Sequence, residues 1–209
     1  TDGTNVYDDS YTFTKSMGWS PLSPVSKPDP RLGHAMAHSV GGDALVFGGT
    51  DKEGFAPPPQ DFGDTWIYDN LNWHEKTVAG PGQRKLHGLA RLSETETLLF
   101  GGTNETTEYI EATWTYNHTL EKWTRDTDTG ESPTARHSTG VAGIWDMGVA
   151  VCFGGKMSTD YSRATYVYEP VSQLEPTLEF TDESGYYTDG VEPDKSPPNS
   201  QFEFRVKYS

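Results

Sequence analysis

Short apolar runs, each ending in two glycines, recur along the chain at a fixed spacing. Residues 45–49, 98–102 and 151–155 read Leu-Val-Phe-Gly-Gly, Leu-Leu-Phe-Gly-Gly and Val-Cys-Phe-Gly-Gly. The first glycine of each pair therefore falls at 48, 101 and 154, which gives a period of 53 residues twice over. A fixed period of this length is typical of repeat architectures. Each run predicts a buried strand that stops sharply, because paired glycines allow backbone conformations that other residues avoid.

A second pattern, of alternating aromatic and polar residues, follows each glycine pair. Residues 64–68 read Asp-Thr-Trp-Ile-Tyr and are followed by Trp73, while residues 112–116 read Ala-Thr-Trp-Thr-Tyr and are followed by Trp123. Residues 164–168 form a fainter copy without a tryptophan. Alternation of this kind predicts strands with one face inward and the other outward.

Each apolar run is also preceded by a Pro-x-x-Arg motif. The arginines Arg31, Arg84 and Arg136 stand 17, 17 and 18 residues before the first glycine of their repeat. The interpretation is a buried or half-buried guanidinium that braces strand ends through carbonyl groups. His34 and His87 occupy equivalent places three residues after their arginines, which favours a structural role over a metal site. One unit thus contains four short antiparallel strands, the description of a propeller blade.

These motifs resemble the kelch repeat family. The resemblance covers residues 28–170 through three copies, with a half-copy at 9–19, and it implies an all-β fold. The expected architecture is a kelch-type β-propeller of four-stranded antiparallel blades, with three complete repeats and a composite or partial fourth. The predicted organisation is blades over 1–174 (half-blade 9–19, repeats 28–73, 81–123 and 133–170) and an acidic, proline-containing segment with a final strand over 175–209.

The sequence allows several ways in which the ring of blades closes. The half-copy at 9–19 has the outer strands of a blade, and the alternating residues 201–208 supply one strand that would complete it. The alternatives are a small four-bladed ring, a piece of a larger propeller, or a ring shared by two chains. Exposed strand edges favour some form of completion.

Charge narrows the classes of partner. Sixteen basic and thirty-one acidic residues among 209 give a formal charge of −15, which disfavours nucleic acid and anionic membranes. No apolar run reaches the length of a membrane span. The chain begins at Thr1 without a methionine, which suggests a processed or trimmed segment.

Catalytic chemistry has no positive support in the sequence. Galactose oxidase and the specifier proteins of glucosinolate breakdown, enzymes of the resembled family, require copper or iron ligands that this chain does not match. The single cysteine, Cys152, stands where the other repeats have Val46 and Leu99, so it is predicted to be a core residue. We therefore predict no catalytic residue, no metal site and no cofactor.

The loops after the glycine pairs vary while the frame repeats, and in an antiparallel blade they emerge on one face. Variable loops on a rigid frame commonly carry binding residues, and the resemblance implies a partner-binding face here. The predicted partner is another protein, self-association included; a glycan is the alternative, and an enzyme at the central channel is third. Two glycosylation sequons, at Asn104 and Asn117, favour an extracellular protein. The predicted contact residues are Phe55, Phe62, Tyr109, Ile110, Met157 and Tyr161.

Overall fold

A computed structural model of the chain describes residues 6–52, 59–127, 132–144 and 146–170, with four two-residue strands beyond them. The chain divides into two units, Thr1–Glu169 and Pro170–Ser209.

The first unit is built from thirteen short strands in its described residues. They are β1 (Ser10–Thr14), β2 (Gly18–Leu22), β3 (Ala35–His38), β4 (Ala44–Thr50), β5 (Asp61–Asp69), β6 (Asn72–Lys76), β7 (Gly88–Arg91), β8 (Glu96–Phe100), β9 (Thr113–Asn117), β10 (Lys122–Arg125), β11 (Gly140–Ile144), β12 (Val149–Phe153) and β13 (Thr165–Tyr168).

Neighbouring strands in sequence are neighbours in the sheets. Strands β3-β4-β5-β6 and β7-β8-β9-β10 each form a four-stranded antiparallel sheet, and β11-β12-β13 form a three-stranded one. Strands β1 and β2 pair with each other. The one helical element in the described part of the chain is a single 3₁₀ turn at Val40–Gly42. The predicted all-β fold with four-stranded antiparallel blades is confirmed.

The second unit contains only short strands among its described residues. Strand β14 (Glu179–Phe180), β15 (Val191–Glu192), β16 (Glu203–Phe204) and β17 (Val206–Lys207) follow in chain order. Strand β14 pairs with β17, and β15 pairs with β16. Completion of the first blade by the C-terminal strand stays a prediction.

The sheets of the first unit stack through their innermost strands, with β7 in contact with both β3 and β11. Glycines make this approach possible. A Cβ atom on Gly88 would overlap the side chain of Val141, and one on Gly143 would overlap the carbonyl oxygen of Arg91. The inner strands therefore approach one another closely, as the axis of a propeller requires.

The hydrophobic core lies between the sheets rather than within any one of them. Between the first and second sheets, the indole of Trp123 packs on Phe47 at 5.2 Å and on Tyr116 at 5.0 Å between ring centroids. Its Nε1 donates to the hydroxyl of Thr65 at 2.9 Å. Ala90, Leu98 and Ala150 form a second cluster between the second and third sheets. Each sheet thus depends on the next one for burial.

The phenylalanine before each glycine pair shows this dependence directly. Phe47 and Phe100 are buried, with exposed fractions of 0% and 2%, whereas Phe153 is 60% exposed. The sequence motif is the same at all three positions, but the third sheet is the last in the described stack. Burial at this position is therefore supplied by the neighbouring blade and not by the strand itself.

Candidate functional site

The repeated arginines fix the point where the frame ends and the variable loops begin. Nη1 of Arg31, Arg84 and Arg136 donates to the carbonyl of Gly48, Gly101 and Gly154, at 3.0, 3.0 and 3.1 Å. All three arginines are buried, with exposed fractions of 7% or less. The predicted bracing role of the arginines is confirmed.

The glycine pairs connect each sheet to the next. The N–H of Gly49 donates to the carbonyl of Arg84, and the N–H of Gly102 donates to the carbonyl of Arg136, both at 2.9 Å. Gly48 has a φ of +63°, and a Cβ atom there would overlap the Arg84 carbonyl oxygen. Glycine is needed at this position for both its backbone conformation and its close contact.

The three arginines differ in what neutralises them. Arg31 makes a bidentate ion pair with Asp64, at 2.7 and 2.8 Å, under the ring of Phe62. Burial opposes ionisation of Asp64, but the Arg31 hydrogen bonds hold its pKa below the usual value. Arg84 donates to the carbonyls of Pro81 and Gly82, and it has no carboxylate partner among the described residues. Burial, assisted by the charge of Arg125, lowers the pKa of Arg84 to about 10.

We define the loop face as the end of the sheets formed, in the described part of the chain, by residues 51–52, 59–60, 101–112 and 154–164. The turns that join first to second strands and third to fourth strands lie at the opposite end, because successive antiparallel strands reverse direction. Phe55, one of the predicted contact residues, lies outside the described residues. Phe62 is on strand β5 and half-buried, with its ring 4.4 Å from the Arg31 guanidinium carbon.

Four residues lie side by side at the loop face, and we call them the tyrosine patch: Tyr109 of the second loop, Lys156 and Tyr161 of the third, and His137 at the start of the third blade. The rings of Tyr109 and His137 are stacked, with centroids 5.4 Å apart and 17° between their planes. Lys156 pairs through its backbone with both His137 and Tyr161. Tyr161 is 71% exposed. A hydrogen bond with the Glu108 side chain raises the pKa of the Tyr109 hydroxyl.

Ile110 and Met157, the other two predicted contact residues in these loops, are held by backbone hydrogen bonds. Both side chains are half-buried. The N–H of Ile110 donates to Gly102, and the N–H of Met157 donates to Asp160. The structure thus brings Tyr109 and Tyr161 into one patch, whereas Ile110 and Met157 are less exposed than Tyr161.

A buried carboxylate ties the first loop to the second. Asp61 accepts from Nζ of Lys85 at 2.8 Å and from the N–H of Glu105 at 3.0 Å, with its side chain 2% exposed. A polar cavity of about 270 Å³ lies beside it, lined partly by Gln60 and Asn104. The sequence analysis did not identify Asp61 or Lys85, since their contact crosses from one blade to the next and leaves no signal in spacing.

Both sequon asparagines cap tight turns. Oδ1 of Asn104 accepts from the N–H of Thr106 at 3.0 Å and of Thr107 at 2.7 Å. Oδ1 of Asn117 accepts from the N–H of Thr119 at 3.1 Å and of Leu120 at 2.9 Å. The side-chain oxygens therefore have a structural role in their turns.

Two histidines are held in the neutral form by their surroundings. His87 is buried against Phe47, and neither ring nitrogen has a hydrogen-bond partner among the described residues. Burial, with the charge of Arg84 and the nearby His34, lowers the pKa of His87 to about 3. Burial also lowers the pKa of His118 to about 4, with Arg91 adding to the effect. Both imidazoles are therefore neutral at neutral pH, and both residues have a structural role.

Neither a metal site nor a membrane span is found in the described ranges. No group of three or more His, Cys, Asp or Glu side chains there is arranged to hold a metal ion. No helix in the same residues has the length and apolar character needed to cross a bilayer.

Comparison with known proteins identifies a family, and the similar proteins include two from a plant. A family profile described as the KLHDC2/KLHL20/DRC7 Kelch-repeats domain matches residues 1–179. Acyl-CoA-binding domain-containing protein 5 of Arabidopsis thaliana is 31% identical over 130 residues, which is 60% of this chain. Acyl-CoA-binding domain-containing protein 4 of the same plant is 30% identical over 140 residues, or 65% of this chain. The matched region spans only 19% of the length of either protein.

Proposed function

This chain belongs to the kelch-repeat family, and on that premise we propose that it is a non-catalytic module that binds another protein through the loop face. The family supports a protein-interaction propeller. The position of the contact surface on this chain is our own inference.

The observation that carries the proposal is the tyrosine patch. Tyr161 is 71% exposed, and the ring of Tyr109 stacks on the imidazole of His137. Tyrosine combines apolar area with a polar group and few rotatable bonds, which is why it is enriched among residues that dominate binding energy. The arginine and glycine contacts beneath the patch hold the loops in place, so little ordering is required on binding.

Charge indicates the kind of protein that fits. The formal charge of −15 favours a partner with a basic contact surface through complementarity and faster association. Carboxylates of Glu105, Glu108 and Asp160 lie at the loop face among exposed positions. Association of this type weakens with added salt, because exposed charges are screened.

We expect Tyr161→Ala, combined with Tyr109→Ala, to weaken partner binding about tenfold or more, because exposed interface tyrosines supply a large share of binding energy. The measurement is retention of proteins from an extract of the source organism on the immobilised chain, compared between variants by mass spectrometry. Leu71→Ala is the matched control, since Leu71 is also 71% exposed but lies on the β5–β6 turn at the opposite end of the sheets.

If the double tyrosine variant and the Leu71→Ala control lose the same retained proteins, or if neither variant loses any, the loop face is not the binding surface.

A glycan is the second candidate, favoured by the exposed ring of Tyr161, because aromatic rings stack on sugar faces. Binding to a glycan array that the tyrosine changes abolish, without any retained protein, would replace the protein partner by a carbohydrate.

We extend the proposal to an extracellular location, supported by the two sequons at Asn104 and Asn117. The expected result is N-linked glycan on at least one of these asparagines in the protein isolated from its source. Peptide mass spectrometry before and after enzymatic deglycosylation measures this. Unmodified asparagine at both positions would argue against this location.

A further inference from the structure

The hairpin of strands β1 and β2 exposes an aromatic pair on one of its two sides. Phe13 and Trp19 lie opposite each other in the register of the two strands. Their ring centroids are 5.2 Å apart, with 58° between the planes. Trp19 is 71% exposed, and Phe13 is exposed as well. We call the side of the hairpin that carries these two residues the leading face.

The same aromatic pair occurs in the first and second sheets, where its tryptophan is buried. Tyr68 lies opposite Trp73 in register, with ring centroids 5.1 Å apart. Tyr116 lies opposite Trp123, with ring centroids 5.0 Å apart. Trp73 and Trp123 are both buried. The strand positions and the ring geometry are equivalent to those of the hairpin, so the exposure of Trp19 reflects what lies next to it.

The preceding sheet buries Trp123 with two neighbouring side chains. The ring of Phe47 lies 5.2 Å from the ring of Trp123, between centroids. The hydroxyl of Thr65 accepts from the indole Nε1 at 2.9 Å. Phe47 and Thr65 lie opposite each other in the register of β4 and β5. A tryptophan of this kind thus packs on a phenylalanine and a threonine that lie side by side on one side of the preceding sheet.

The third sheet has the same two residue types at the equivalent positions, and there they are exposed. Phe153 and Thr165 lie opposite each other in the register of β12 and β13. Both residues are exposed. Val167 is exposed too, although its equivalent in the first sheet, Ile67, is buried. We call the side of the third sheet that carries Phe153, Thr165 and Val167 the trailing face.

The leading and trailing faces belong to the two ends of one stack of sheets. The other side of the hairpin packs on the first sheet, because the hydroxyl of Ser10 accepts from Nε1 of Trp73 at 3.1 Å. The third sheet is the last in the described stack. Since Trp19 and Phe153 are both exposed, the stack of one copy does not close on itself. Each copy therefore has one face of each kind, and the two kinds are complementary.

We propose that two copies of this chain associate head to tail, with the leading face of each copy on the trailing face of the other. Trp19 of one copy packs on Phe153 of the other copy and donates its indole N–H to Thr165 there, which repeats the contact between the first and second sheets. A contact between unlike surfaces forms a ring when the rotation closes. The first unit has four sheets, so two copies supply eight blade positions, within the range of closed propellers.

The response to salt separates this contact from binding at the loop face, and the proposal holds whether or not the loop-face proposal does. The residues that define the leading and trailing faces carry no charge, whereas each copy has a formal charge of −15. Salt screens the repulsion between the two copies. We expect the dimer to become tighter as sodium chloride rises from about 0.05 to about 0.5 M, and a weaker dimer would count against the proposal.

Sedimentation velocity on the whole protein measures the association. We expect a concentration-dependent dimer, and we expect Trp19→Ala and Phe153→Ala each to weaken it at least about tenfold. Because both side chains are exposed, both variants are expected to keep the parent melting temperature. Tyr161→Ala is the matched control, since Tyr161 is as exposed as Trp19 but lies at the loop face.

Three results of this experiment would overturn the proposal. The first is a monomer at about 100 μM protein. The second is an unchanged dimer affinity in either Trp19→Ala or Phe153→Ala. The third is loss of the dimer in Tyr161→Ala, which would assign self-association to the loop face.

Photo-crosslinking between two isotopically distinct copies tests which faces meet. A photoreactive phenylalanine analogue replaces Phe13 in an unlabelled copy, which leaves Trp19 in place, and this copy is mixed with parent protein labelled with heavy nitrogen. We expect position 13 to be joined to a labelled peptide from β12 or β13. Crosslinks to β1 or β2 of the labelled copy would show that like faces meet. Crosslinks to residues 171–209 of the same copy would show that the chain itself covers the leading face, and either result, or no crosslink, would overturn the proposal.

Discussion

Gly48→Ala is expected to destabilise the first unit by about 4 kcal/mol, among the largest effects of any single substitution in this chain. Alanine at the left-handed φ of +63° costs about 1–2 kcal/mol in backbone strain. The new Cβ atom also overlaps the Arg84 carbonyl oxygen, so the backbone hydrogen bond from Gly49 to Arg84 is displaced. Chemical denaturation followed by tryptophan fluorescence measures the loss.

Gly154→Ala is the control that separates strain from contact between blades. Gly154 has nearly the same backbone angle, with φ of +70°, but the nearest atom to its Cβ position is 3.8 Å away, in its own loop. Only the strain of about 1–2 kcal/mol is then expected. Equal losses for the two variants would mean that the glycine pairs recur for backbone conformation alone, and that the contact from sheet to sheet contributes nothing.

The second large effect is a loss of stability on acidification that His87 causes. Its pKa is about 3 in the folded protein because the ring is buried, whereas in the unfolded chain it takes the ordinary value of about 6.5. Below pH 6.5 the unfolded state therefore binds a proton that the folded state does not, and stability falls as pH falls toward 3. Between pH 7.5 and 5.0 this one histidine costs about 2 kcal/mol. His118, whose pKa burial also lowers, adds a loss in the same direction.

His87→Asn tests this assignment. The variant is expected to be less stable than the parent at pH 7.5, because the packing of the imidazole on Phe47 is lost. Its free energy of unfolding is expected to fall by about 2 kcal/mol less between pH 7.5 and 5.0 than that of the parent. Urea titrations at five pH values across this range provide the two curves. Parallel curves would assign the acid sensitivity to other groups.

The order of strands within each blade could be predicted from the sequence because the same pattern recurs in every repeat. The apolar runs before Gly48, Gly101 and Gly154 predicted the second strands, and the alternating aromatic segments predicted the third. Strand formation here follows from local alternation and from glycines at fixed positions, which are visible in a single chain. The bracing arginines followed from their constant distance to the glycines.

Contacts between blades could not be predicted in the same way. The identical motif leaves Phe47 buried and Phe153 exposed, because burial depends on the neighbouring sheet. The salt bridge from Lys85 to Asp61 joins residues 24 positions apart whose types carry no spacing signal. Phe62 was expected at the loop face as a contact residue, and its placement over Arg31 depends on an ion pair with Asp64 that only one repeat contains.

The tyrosine patch was partly visible in the sequence. Tyr109 and Tyr161 were expected on the same face because their loops follow equivalent strands. In the sequence, His137 stands out only as the residue after Arg136 in the third Pro-x-x-Arg motif. In the structure, its ring is the one that stacks on Tyr109. The stacking joins a loop of the second blade to the start of the third, so it requires knowledge of how the blades are stacked.

The central claim, that the loop face binds a protein, is tested most directly by site-specific photo-crosslinking. A photoreactive phenylalanine analogue is introduced at position 161 in one protein and at position 71 in another, and both are irradiated in the same extract. Both sites are equally exposed, and they lie at opposite ends of the sheets. The account predicts a discrete crosslinked product from position 161 and none from position 71. A product from position 71 alone, or the same products from both, would contradict it.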